Sequence, residues 1–242
     1  IRDCLLSRGL GDVYKRQEMG CRYIQFTPIV ERMQSHTDGR TLAAVDEAGN
    51  GGLMEFSVTP EQWGNFLITI FDEWVRHDVG EYYIQIFDST LANWVGAQPG
   101  LCSLAKTCGH AGAIEWNGDV YACDHFVFPQ YKLGNIHEAT LIEMMYSPRQ
   151  LAFGQAKQTS LPRQCRECDY LFACNGECPK NRFTQTADGE PGLNYLCAGY
   201  HRFFQHVAPY MDWMKHELLN QRPPAGIVDL LRREPHYFEN KP

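Results

Sequence analysis

Apolar residues recur along this chain in two rhythms, one suited to strands and one to helices. Arg22-Tyr23-Ile24-Gln25-Phe26-Thr27 is rich in β-formers, and Pro28 ends it because it has no N–H for a ladder. Trp63, Phe66, Leu67, Ile70, Phe71, Trp74 and Val75 then fall at spacings of three and four, which predicts one core-facing stripe of a helix. Its start is written in Thr59-Pro60-Glu61-Gln62: Thr59 caps, Pro60 takes the first helical position, and Gln62 closes a capping box. Tyr82 to Phe87 reads as a second strand, ending at Asp88. Strand, helix, strand is a βαβ unit and predicts a parallel pair.

The pattern changes near Pro99. Ala113 to Cys123 reads as a hairpin about Asn117-Gly118, a turn suited to positive φ. Leu141 to Phe153 is helix-like, with Leu141, Met144, Met145 and Leu151 available for packing. Tyr200, Phe203, Phe204, Val207, Tyr210, Met211 and Met214 form a last helical stripe, expected to bend at Pro209. Residues 35 to 52 are polar and Gly-rich, a loop or insertion. The first seventeen residues have no sustained period. Their GDVYKRQ ending resembles translated adaptor sequence, so 1–18, Cys4 included, is expected to be either non-native or an ordinary flexible terminus.

Composition narrows the classes. The chain has 242 residues, 44% of them hydrophobic, enough for one large or two modest domains. A formal charge of −7 argues against non-specific nucleic-acid binding. No apolar run approaches a membrane span, and no signal peptide is evident. The ten cysteines therefore fit a reducing, cytoplasmic setting with thiolates held by metal.

Chemistry concentrates in Cys165 to Cys178, CRECDYLFACNGEC, whose four cysteines are separated by two, five and three residues. Such short spacings let one loop wrap its sulfurs around a soft metal. Cys102, Cys108, Cys123 and Cys197 flank it. Eight thiolates suffice for two four-thiolate centres. Spacing alone leaves iron–sulfur clusters, zinc and a disulfide framework all open.

The order Cys102, fifteen residues, Gly118, four residues, Cys123, then CRECDYLFACNGEC and Cys197, resembles the SPASM domains of radical S-adenosylmethionine enzymes. The phrases Gly118 to Val127 (GDVYACDHFV), Leu133-Gly134-Asn135, Cys178-Pro179-Lys180 and Gly192 to Cys197 (GLNYLC) are similar, more narrowly, to the anaerobic sulfatase-maturating enzymes. Tyr23 to Pro28 is similar to a late barrel strand of that family. The likeness runs from about Met19 to about Met214. It implies an α/β fold in which 19–98 ends a partial (β/α) barrel, 99–220 is the SPASM domain and 221–242 is a tail.

The resemblance also implies two auxiliary [4Fe–4S] clusters, the inner on Cys102, Cys108, Cys123 and Cys178, the outer on Cys165, Cys168, Cys174 and Cys197. In the full-length family a third such cluster cleaves S-adenosylmethionine to a 5′-deoxyadenosyl radical. That radical takes a hydrogen from Cβ of a cysteine or serine in a sulfatase's Cys/Ser-x-Pro-x-Arg segment, and loss of an electron and a proton leaves Cα-formylglycine, directly from serine and through a thioaldehyde, which water hydrolyses, from cysteine. Asp124, next to the ligand Cys123, is the implied catalytic base. His125 is expected to be a hydrogen-bond partner rather than a ligand. Gln25, Phe26 and Thr27 are expected at the barrel mouth as contacts to cofactor or peptide, with Asp88 of similar standing. Arg22, Lys180 and Arg182 are expected as solvated surface charges.

One feature departs from the family. No triplet of cysteines spaced by three and two residues exists: Cys174 and Cys178 supply the first spacing, but Asn181 holds the third position. The chain is accordingly expected to be a fragment, inactive alone. The rival readings are another SPASM peptide maturase, forming thioether or carbon–carbon crosslinks, and a non-catalytic zinc-stabilised binding module.

Overall fold

In the computed structural model, residues 20–32 and 52–239 are described. The terminal stretch 1–18 with Cys4, and nearly all of the 35–52 loop, lie outside them. The elements run β1 (Tyr23–Ile24), α1 (Pro60–His77), β2 (Tyr83–Ile84), α2 (Gln85–Trp94), β3 (Ala113–Ile114), β4 (Asp119–Tyr121) and β5 (Lys132–Asn135). After them come α3 (Leu141–Met145), α4 (Pro148–Thr159), α5 (Arg163–Arg166), α6 (Leu171–Cys174), β6 (Thr184–Gln185), β7 (Pro191–Leu193), α7 (Cys197–Leu219) and α8 (Gly226–Arg233). Among the described residues no helix is long and apolar enough to cross a membrane. The chain divides into two units: the first takes described residues 20–28, 58–101 and 196–239, the second the remainder.

In the first unit, α1 begins as its sequence predicts. The Gln62 amide donates to Thr59 Oγ1 at 3.1 Å, and the Thr59 amide donates to Gln62 Oε1 at 2.9 Å. The two reciprocal bonds satisfy donors that a helix start leaves free. Its apolar stripe is buried except for the half-buried Phe66. The strands are only two residues long, but they pair in parallel, Tyr23 with Tyr83 and Ile24 with Ile84, as a βαβ unit requires.

The second expected strand is cut short. From Gln85 the chain is helical, because Ile86, Thr90 and Trp94 recur every four residues and are all buried. Two turns of alternating apolar residues look alike in both periods until the later positions are counted.

Helix α7 passes through Pro209 without interruption and buries all seven residues of its predicted stripe. It packs along α1. Phe71 sits at the hub, edge-on to Phe87 (5.3 Å), Phe203 (6.2 Å) and Tyr210 (5.5 Å). Phe71, Phe87, Phe203 and Phe204 are fully buried, and each contributes about 1.5–3 kcal/mol of burial energy. Two indole N–H groups entering this core are matched, Trp94 Nε1 donating to Asp212 Oδ1 at 2.9 Å and Trp74 Nε1 to the Tyr82 carbonyl at 2.8 Å, whereas Trp63 Nε1 is buried without a partner among the described residues.

The second unit is built on a three-stranded antiparallel sheet, β3-β4-β5, and the β6-β7 hairpin. Gly118 has φ +86°, but Asn117 stays outside the left-handed region. Instead its side-chain oxygen accepts the Asp119 amide at 3.1 Å, so the turn spans Trp116 to Gly118 between the bonded Glu115 and Asp119. The helix-like run 141–153 is two helices. Thr140 and Ser147 each cap a start, and Pro148 opens α4. Met144 and Met145 are buried, whereas Leu141 and Leu151 face solvent.

The tightest approach in the first unit is glycine on glycine. A Cβ on Gly199 would lie 2.1 Å from the Pro60 carbonyl oxygen, and one on Gly64 would lie 2.9 Å from Gly199 Cα. Backbone cannot give way as a flexible side chain can. We therefore expect Gly199→Ala to cost about 1–3 kcal/mol through overpacking, read by denaturant unfolding. Unchanged stability would show that α1 and α7 do not approach this closely.

Candidate metal centre and cleft

None of the nine described cysteines forms a disulfide. Seven of them lie in the second unit: Cys102, Cys108, Cys123, Cys165, Cys168, Cys174 and Cys178. Most are presented by short turns, whereas the Cys108 amide donates to the Gly154 carbonyl at 3.0 Å. Cys102 opens a 3-10 turn, Cys123 precedes another, and the Cys165 and Cys168 amides close turns at Pro162 and Cys165. Cys174 ends α6. Asn175 (φ 50°), Gly176 (φ 70°) and Glu177 (φ 55°) are then all left-handed, reversing the chain into Cys178. Only glycine suits the middle position, since a Cβ there would lie 2.3 Å from a Leu161 methyl and 2.6 Å from the Arg182 guanidinium.

That reversal is held by Arg182. Its Nε donates to the Gly176 carbonyl at 2.8 Å, and its terminal nitrogens to those of Asn175 (3.0 Å), Glu177 (3.1 Å) and Lys157 (2.5 Å). It is half-buried and bonded to backbone, not a solvated surface charge. Lys180 is likewise committed, to Glu31 at 2.5 Å, whereas Arg22 meets Glu81 at 3.6 Å on the exposed surface.

Beside Arg182 lies a second cation that the sequence did not suggest. Lys157 is 1% exposed, and its Nζ donates to the carbonyls of Cys102 (2.8 Å) and Ser103 (2.7 Å). Burial pulls its pKa below the ordinary lysine range, partly opposed by Cys108, Glu177 and Cys178. Gln150, also buried, donates through Nε2 to the Gly109 and Ala122 carbonyls, both at 3.1 Å, joining the segments that carry Cys108 and Cys123. Gly154 completes the face of α4: a Cβ there would lie 2.5 Å from the Cys108 carbonyl oxygen. Glu177, 4% exposed, accepts from Asn194 Nδ2 at 2.8 Å.

Burial pushes the thiols of Cys108, Cys165 and Cys178 up, and that of Cys123 up to about 12. Left alone, these sulfurs keep their protons. Cys123 Sγ donates to Asp124 Oδ1 at 3.1 Å, which holds the Asp124 carboxyl below its ordinary range and so ionised at neutral pH. The ligand atoms of Cys123, Asp124 and His125 lie within 4.8 Å of one another. His125 Nδ1 is 3.8 Å from Cys178 Sγ, a long sulfur contact that brings the Cys123 and Cys178 segments together.

The first unit carries Cys197, at the start of α7, and an open cleft of about 660 Å³. Tyr23, Ile24, Gln25, Tyr83, Gln85, Asp88, Ser89 and Gly100 line it. Of the three residues expected at the mouth, Gln25 lines this cleft. Phe26 instead packs edge-on against Phe66 at 5.1 Å, and Thr27 is exposed outside it. Burial raises the Asp88 carboxyl to about 6.

Comparison with known proteins fits this donor set. Residues 106–169 match the SPASM iron–sulfur cluster-binding domain. The chain is 69% identical over 216 residues to a serine-type anaerobic sulfatase-maturating enzyme of Bacteroides thetaiotaomicron, covering 89% of this chain and 52% of that protein. The chain is similar to the anaerobic sulfatase-maturating enzymes over this span. A serine-type maturase of Klebsiella pneumoniae is 30% identical over 78% of this chain and 42% of its own length. Native anSMEcpe, solved with bound AdoMet and Cp18Cys peptide, superposes with a TM-score of 0.68 at 25% identity, over 87% of this chain and 55% of that one. The chain thus spans about half the length of the relatives it matches. The shared architecture is the α/β piece and SPASM module that the residues of this sequence implied.

Arg182 makes a clean test of how the cysteine loop is held. Arg182→Lys keeps the charge but cannot fork across four carbonyls. We expect the second unit to lose about 2–4 kcal/mol, read by chemical unfolding of the chain, since buried carbonyls lose their donors. A loss no larger than that of a surface Arg→Lys control would show that only the charge counts.

Proposed function

We propose that the seven thiols of the second unit, with Cys197, hold two auxiliary [4Fe–4S] clusters in the inner and outer sets given above. We further propose that the chain is the SPASM-bearing part of a radical S-adenosylmethionine sulfatase maturase. The observation that carries this reading is the juxtaposition of thiols held in no disulfide with two cations, Lys157 and Arg182, drawn into the protein interior. Burying cations is costly unless anions accompany them. Thiolates ligating a metal supply that charge, and proton-bearing thiols do not. The SPASM match then favours iron–sulfur over zinc.

The 69% identity to a serine-type maturase favours serine as the residue oxidised, in a Cys/Ser-x-Pro-x-Arg segment of a sulfatase. Turning serine into formylglycine removes two electrons and two protons, one proton from Cβ and one from the hydroxyl. S-adenosylmethionine with its own iron–sulfur cluster supplies the radical that takes the first with one electron, and an auxiliary cluster can accept the other electron. This chain's residues supply the base. When Cys123 ligates as a thiolate it has no proton to donate, so the ionised Asp124 is free to accept the hydroxyl proton. Asp124 is exposed and therefore reachable, and Arg182 and Gln150 fix the segments on which the thiols stand. Thiols held in no disulfide suit a reducing, cytoplasmic setting.

The test is Asp124→Asn in a full-length maturase carrying this sequence, with a serine-containing sulfatase peptide. Iron content and 5′-deoxyadenosine formation should persist. Formylglycine should fall by about a hundredfold or more, the scale for losing a positioned base. Loss of iron in proportion to product would make Asp124 a support for the cluster instead. Undiminished formylglycine with iron intact would remove Asp124 from the reaction.

A further inference from the structure

The two buried cations of the second unit stand at different places relative to the two proposed ligand sets. Arg182 grips the turn that joins them. Gly176, whose carbonyl accepts from Arg182 Nε at 2.8 Å, lies midway in the chain between Cys174 of the outer set and Cys178 of the inner set. The carbonyls of Asn175 and Glu177, on either side of it, accept from the same guanidinium at 3.0 and 3.1 Å. Lys157 stands on the inner side, where its Nζ donates to the carbonyls of Cys102 and Ser103 at 2.8 and 2.7 Å. Asn175 Nδ2 donates to the Leu104 carbonyl at 2.9 Å and so draws the turn against the segment that carries Cys102.

The electrostatics follow the same division. Burial pulls Arg182 below the ordinary arginine range, opposed by Cys165 and Cys174 from the outer set and by Cys108 from the inner. The thiols that oppose the shift of Lys157 are Cys108 and Cys178, both inner. One carboxylate, Glu177, acts on both cations, so two positive charges are set against one negative. Away from bulk water a fixed charge is felt over several ångströms with little screening by salt.

Uptake of an electron adds one negative charge to an iron–sulfur cluster, so a nearby fixed cation favours the reduced state. We infer that Arg182, shared between the two ligand sets, raises the reduction potential of both clusters, and that Lys157 raises that of the inner cluster alone. This rests on the cluster assignment proposed above and extends it: the side chains that fix the loops also set how readily each cluster accepts an electron. The inner set includes Cys123, the neighbour of Asp124, so both cations favour electron uptake at the centre beside the proposed base.

The experiment is a potentiometric titration of this chain, reconstituted without oxygen and followed by electron paramagnetic resonance. The unvaried chain should take up two electrons, and Cys168→Ala, which removes an outer ligand, should show the inner step by itself. Lys157→Met should lower the equilibrium constant for inner reduction by at least about tenfold, about 59 mV for one electron, and leave the outer within about threefold. Arg182→Gln should lower both by comparable factors. Arg182→Lys keeps the charge and should leave both steps within about threefold while loosening the loop, which separates charge from support. If Arg182→Gln fails to load, Lys157→Met measured on its iron-loaded fraction decides alone. Movement of both steps or of neither in Lys157→Met would overturn the inference, as would an Arg182→Gln variant that moved only one. Absence of iron and sulfide from the unvaried chain would instead overturn the cluster reading, before any variant is compared.

Discussion

The second unit depends on two cations holding backbone carbonyls from inside. Lys157 takes the carbonyls of Cys102 and Ser103, and Arg182 takes those of Lys157 and of the three left-handed residues before Cys178. A loop of irregular backbone cannot satisfy its own carbonyls as a helix does. These side chains do so, and they also bring positive charge to where thiolates are wanted. On the proposed reading cysteine spacing supplies the ligands, while Lys157, Arg182, Gln150, Gly154 and Gly176 fix their positions. The arrangement therefore couples folding of the module to what its sulfurs bind.

This division explains which parts of the site could be read from sequence. The cysteines could be proposed as ligands because that chemistry is carried by residue type and spacing alone. Asp124 could be proposed as the base only through its place beside Cys123 and through family likeness. Lys157 was not legible. The buried face of α4 reads Gln150, Gly154, Lys157, a helical spacing with no apolar residue, so a search for hydrophobic stripes passes over it. Arg182 was read as a surface charge for the same reason: nothing in its neighbourhood signals that four carbonyls converge on it. A basic residue three to five positions after a Gly-containing cysteine loop is the signal that could have found it.

The fold was legible to a similar degree. Capping at Thr59, the stripes of α1 and α7, and the parallel strand pair follow from local chemistry. The switch from strand to helix at Gln85 was missed, because Tyr83 to Phe87 is consistent with both periods. The pairing of α1 with α7 was also not readable. Two aromatic stripes more than a hundred residues apart say that each buries a face, and the glycines at 64 and 199 say only where a close approach is permitted. That missed switch has a consequence, for the helical turn at Gln85 is what places Gln85 and Asp88 together in the cleft.

The central claim is that buried cations and disulfide-free thiols together make an iron–sulfur module. Metal and acid-labile sulfide analysis on this chain, reconstituted without oxygen, tests it most directly. The account predicts iron and sulfide in equal amounts, about eight of each for two four-iron clusters, with Lys157→Met lowering both. Stoichiometric zinc without sulfide, or full iron loading that ignores Lys157, would contradict it.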